Sequence, residues 1–64
     1  MILLHKLNGD EFLLNISIIE TVEERPDTTI TLINEKKYIV KEKKDDILQQ
    51  IVVYQRRIFS RDNG

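Results

Sequence analysis

The residues able to do chemistry in this chain are few, and none of them is spaced for catalysis. A single histidine, His5, stands in a sequence without cysteine, which removes Cys-His pairs and multi-histidine metal sites. Asp10-Glu11 and Asp45-Asp46 are adjacent carboxylates. Hairpin turns and helix starts favour such residues for backbone reasons, so general acid and base work is not needed to explain them. The glycines are Gly9 and Gly64, too few and too far apart for a loop that cradles phosphate. The expectation is a non-enzymatic chain with no catalytic, cofactor-binding or metal-binding residues, in which His5 is structural or a surface contact.

Lysines are the other chemical concentration. Lys36, Lys37, Lys41, Lys43 and Lys44 form a basic patch in the sequence that could meet phosphates. Glu35, Glu42, Asp45 and Asp46 interleave with them, and no aromatic pair is spaced for base stacking. Ten basic against eleven acidic side chains give a net charge of −1, so no bulk attraction to nucleic acid or anionic lipid is expected. A solvated lysine cluster that protects a sheet edge accounts for the pattern.

Sixty-four residues make one small domain, and at this size folding buries only about 60% of the surface of the unfolded chain. With no disulfides or thiolate metal site to reinforce it, a dimer or larger homo-oligomer is expected. The apolar run at Ile2-Leu3-Leu4 is far too short for a signal peptide, and no stretch is long enough to cross a bilayer. A soluble protein is expected, and the absence of cysteine is compatible with a reducing cytoplasm.

Period-two alternation dominates the first forty residues. Ile2 to Leu7 and Glu11 to Leu14 flank Asn8-Gly9, the dipeptide that favours a two-residue type I′ hairpin. Ile2, Leu4, Phe12 and Leu14 should face the core, leaving Leu3, His5 and Leu7 together on the opposite face. Asn15-Ile16-Ser17 reads as a turn. A third strand follows over Ile18 to Glu24, but neither of its faces is purely apolar and its register is open. Arg25-Pro26-Asp27-Thr28 is a turn. Thr28 to Ile33 then alternates with Ile30 and Leu32 inward, and Tyr38 and Val40 face inward on a fifth strand after Asn34-Glu35.

From Asp45 the period becomes helical. Ile47, Ile51, Tyr54 and Ile58 form one stripe, and Leu48, Val52 and Phe59 an adjoining one. Asp45 and Asp46 in the first turn and Arg56 and Arg57 in the last complement the helix dipole. The two stripes span roughly 160°, wider than a sheet needs to be covered, so the second stripe is a candidate contact surface. The expected fold is α+β and mostly β: a small twisted antiparallel sheet of about five short strands, with one C-terminal amphipathic helix over about 45–59. The domain covers 1–59, with a flexible tail at 60–64. The candidate partner-binding residues are Leu3, His5, Leu7, Leu48, Val52 and Phe59.

Leu7-Asn8-Gly9, Phe12-Leu13-Leu14-Asn15 and Ile19-Glu20 are followed in order by Pro26-Asp27-Thr28-Thr29-Ile30-Thr31-Leu32-Ile33-Asn34 and Lys36-Lys37-Tyr38-Ile39-Val40. This ordered set resembles the FlbD family, the small flagellar proteins also called SwrD swarming-motility proteins, over roughly residues 1–42. By residue, the resemblance carries over Asn8, Gly9, Phe12, Asn15, Glu20, Pro26, Asp27, Thr28, Asn34 and Lys37. It implies a short cytoplasmic accessory factor, peripheral to the membrane at the flagellar motor. Such a factor would sustain motor power through protein contacts with stator units or another basal-body component. Family members carry Asn-Gly where this chain has Asn34-Glu35, so a longer loop is expected there. The alternative is a small RNA-binding post-transcriptional regulator, because five strands followed by a helix is also the element order of the carbon storage regulator family.

Overall fold

The computed structural model describes the backbone of residues 1–62 and the side chains of residues 1–57. Among the described residues five short strands precede one helix: β1 (Ile2–His5), β2 (Glu11–Leu14), β3 (Ile19–Glu24), β4 (Thr28–Leu32), β5 (Lys37–Val40) and α1 (Lys44–Asp62), with a 3₁₀ turn at Ile16–Ile18. The mostly β fold with a C-terminal helix is as the alternation and its change of period indicate. The helix starts one residue earlier than expected, with Asp45 and Asp46 in its first turn. It is assigned through Asp62, into the expected tail; residues 63 and 64, and the side chain of Phe59, lie outside the described residues.

The strands form two antiparallel sheets rather than one, β1-β2 and the meander β3-β4-β5. They meet where Lys6 bridges Val40 and the Lys41 amide donates to the His5 carbonyl at 2.8 Å. Phe12 from β2 and Tyr38 from β5 reinforce the junction, their ring centroids 5.1 Å apart. The core is built from both sheets and the helix: Ile2, Leu4 and Leu14 on one side, Ile30, Leu32 and Val40 on the other, and Ile47 closing it from α1.

Two hairpins share one turn. Gly9 N donates to Lys6 O at 2.8 Å and Lys6 N to Asp10 O at 2.9 Å; in the β4-β5 connection Glu35 N donates to Leu32 O at 2.9 Å and Leu32 N to Lys36 O at 2.8 Å. In each, the asparagine side chain accepts from the amide two residues on, Asn8 from Asp10 and Asn34 from Lys36. This is the three-residue loop that ends in a left-handed residue, not the two-residue type I′ turn expected at Asn8-Gly9, because only Gly9 has positive φ there, at 98°. Leu7 therefore sits in the turn rather than on the strand. Glu35 holds the matching position at φ 72°, where a Cβ is costly.

β3 explains its own ambiguous pattern. Ile19 pairs with Leu32 but Thr21 with Thr31, so Glu20 is an extra residue in a bulge. The bulge shifts the alternation, and Ile19 and Val22, three apart in sequence, both pack against the core. The turn after β3 contains a cis Arg25-Pro26 bond and is closed by Arg25 N donating to Asp27 O at 3.2 Å. Asn15 organises the 3₁₀ turn, its side-chain oxygen accepting from both Ser17 N and Ser17 Oγ.

β1 is paired with β2 along one edge, so its other edge would expose unpaired backbone groups. Side chains from residues 42–50 seal it. The Gln50 amide accepts from Leu3 N at 3.1 Å and donates to Leu3 O at 2.9 Å. Glu42 accepts from His5 N at 2.8 Å through one oxygen, and its other oxygen lies 2.6 Å from His5 Nδ1. Since an ionised carboxylate only accepts, Nδ1 carries the proton in this contact. Burial pushes the Glu42 carboxyl up, but the His5 ring, the His5 amide and its own backbone amide together hold it below its ordinary 4.5. At the helix start, Lys43 has no side-chain acceptor to offer, and Glu24 from β3 takes the cap instead, accepting from Lys44 N at 2.8 Å.

Two stability measurements check these assignments. Glu35→Gly should stabilise by about 1 kcal/mol and Gly9→Ala should destabilise by about as much, each visible as a shift of about 4–8 °C in opposite directions in thermal melts. Glu42→Gln should cost about 2 kcal/mol at neutral pH. The depressed carboxyl contributes its stability in full above its unfolded value of about 4.5 and loses it as pH falls through the folded value. Denaturant midpoints of the parent and the Gln variant should therefore converge below pH 4.5, and a gap that persisted unchanged into acid would overturn the assignment.

Candidate functional site

The residues singled out by spacing fall on two separate surfaces. On β1 and β2, Leu3 pairs with Leu13 across the hairpin, and both are exposed, at 42% and 63%. They lie on the face opposite Ile2, Leu4 and Leu14, so water-facing leucines stand back to back with the core. Leu7 is also exposed but belongs to the turn. His5 ends this row. Its ring is enclosed between two carboxylates, Glu42 at 2.6 Å and Glu11 Oε2 at 3.6 Å from Nε2. Its main contacts are internal, in keeping with a structural histidine; the partner that seals it, Glu42, is 37 residues away in sequence and had no local signal.

The second surface is on α1. Ile47 is buried and Ile51 half-buried against the sheets. Leu48 is 58% exposed and Val52 38%. They border an open groove of about 370 Å³ with Gln49, Val53 and Arg56. Tyr54, expected on the core stripe, is exposed instead. The sheets are short, and the core is closed by the first two turns of the helix, so later residues on the same stripe run past it.

The five lysines fall in two runs along the chain. Lys36 and Lys37 lie at the β4-β5 turn, while Lys41, Lys43 and Lys44 follow the far end of β5. Three residues, Tyr38, Ile39 and Val40, lie between Lys37 and Lys41, a span of roughly 13 Å at the rise of a β-strand. Phe12 and Tyr38 are packed on each other and against the core, while Tyr54 is exposed on the helix. Among the described residues no group of three or more His, Cys, Asp or Glu side chains could hold a metal ion, and no helix is long and apolar enough to cross a membrane.

The turn residues Asn8, Gly9, Asn15, Pro26, Asp27, Thr28 and Asn34 all occupy backbone-determining positions, Thr28 being buried where β4 pairs with both neighbours. Sequence reasoning found these through their local hydrogen-bonding preferences. It missed Glu24, Glu42 and Gln50, whose partners are 20 to 47 residues away. Comparison with curated proteins and with solved structures gave no match. The family model described as flagellar and swarming motility proteins matches residues 1–59, extending the likeness from the strands through most of the helix. That match, which takes in all five strands and most of the helix, makes this chain a member of the FlbD family.

Proposed function

We propose that this protein is a non-enzymatic flagellar accessory factor that supports motor power and swarming through protein–protein contact, with a stator unit or another basal-body component as its partner. The observation that carries the reading is membership of a flagellar and swarming motility family over residues 1–59. A contact mechanism is supported by the Leu3-Leu13 pair, two large aliphatic side chains side by side in water on a face the fold does not use. The partner meets that face on the cytoplasmic side of the motor. Action through RNA has less support, since acidic residues interleave with the lysines and two of the aromatics, Phe12 and Tyr38, pack on each other.

Deletion of the gene in its host should lower motor torque and swarming, and the parent sequence should restore both. The double variant Leu3→Glu/Leu13→Glu should accumulate and melt like the parent yet fail to restore torque. Lys37→Glu should restore it fully, whereas a mechanism through RNA would lose activity with that substitution and show binding that weakens steeply with salt. Torque at the parental level in the deletion strain would overturn the proposal.

A further inference from the structure

Among the described residues the helix leaves one face without a partner, and the residues on that face are complementary to themselves. Leu48 and Val52 are four residues apart, within about 40° of each other around the helix. Asp45 and Arg56, eleven residues apart, lie within about 20° of each other on the flank next to that pair. Among the described residues neither Asp45 nor Arg56 takes part in an ion pair. The midpoint of Leu48 and Val52 is Gln50, and that of Asp45 and Arg56 falls between Gln50 and Ile51, less than one residue away.

Coincident midpoints are what a two-fold axis requires. We propose that a second copy of this chain covers the face, the two α1 helices packing antiparallel about an axis near Gln50. Leu48 of each copy then packs on Val52 of the other, and Asp45 of each meets Arg56 of the other, every contact occurring twice. The parallel arrangement is disfavoured, because it sets Asp45 against Asp45 and Arg56 against Arg56. Pairing also covers aliphatic surface that the fold of the single chain leaves exposed. It leaves the Leu3-Leu13 face free, and it does not depend on the motor reading.

Sedimentation equilibrium of the full chain at micromolar concentration should give twice the 7.6 kDa chain mass. Leu48→Glu should convert it to a monomer with unchanged helical circular dichroism. Asp45→Arg and Arg56→Asp should each weaken the dimer roughly tenfold, since each turns two attractive pairs repulsive, and the double exchange should restore it. Orientation is read independently of these charges: the chain has no cysteine, so Leu48→Cys mixed with Val52→Cys should form a disulfide between unlike chains. A monomer at all concentrations, a dimer indifferent to Leu48→Glu, or disulfides formed only between like chains would each overturn the proposal.

Discussion

The unpaired edge of β1 is the constraint on which the architecture rests. A four-residue strand with one neighbour exposes backbone donors and acceptors along its other side, and in so small a domain no further strand is available to cover them. The chain meets this with the segment that follows β5. Lys41 supplies a backbone donor, Glu42 a carboxylate and Gln50 a primary amide, in the order in which they pass along the strand. The same contacts join the two sheets and fix the helix against them, so sealing the edge and docking the helix are one event. The aliphatic core can then be assembled from three layers, although no single element buries more than a few side chains.

This anchoring also sets the shape of what remains exposed. Glu24 caps the helix start from β3, Ile47 closes the core, and Gln50 clips the next turn to β1. Beyond that point the helix runs past the edge of two short sheets, over a greatest extent of 40 Å for the molecule. Its apolar residues there are a consequence of length mismatch between a 19-residue helix and four- to six-residue strands. Membership of a motility family and exposed aliphatic surface are thus separate facts, one of ancestry and one of geometry.

Much of this was legible in the residues because it is local. Alternation placed Ile2, Leu4, Leu14, Ile30, Leu32 and Val40 in the core, and the change to a helical period placed Ile47 and Ile51 on it. Asn15 and Pro26-Asp27 marked their turns through side-chain and ring constraints that need no tertiary context. The type of the first hairpin was misjudged because Asn-Gly serves either a two-residue or a three-residue loop, and the pairing of Lys6 with Asp10 decides between them. β3 resisted because a bulge changes phase without a compositional mark. Of the proposed contact residues, Leu48 and Val52 are exposed on the helix, Leu7 is exposed in a turn, and His5 is hydrogen-bonded to Glu42. The long-range polar contacts were illegible in principle, since a lone Glu or Gln on a polar face looks the same whether it meets water or a strand 47 residues away.

The two clasps along β1 differ in one chemical respect. A primary amide presents a donor and an acceptor without titrating, so Gln50 imitates a neighbouring peptide group at any pH in the biological range. Glu42 grips the other end most strongly as an anion, and protonation weakens that grip. Acidification therefore acts on this seam unevenly: it weakens the junction beside His5 and leaves the Gln50 contacts to Leu3 unchanged in strength.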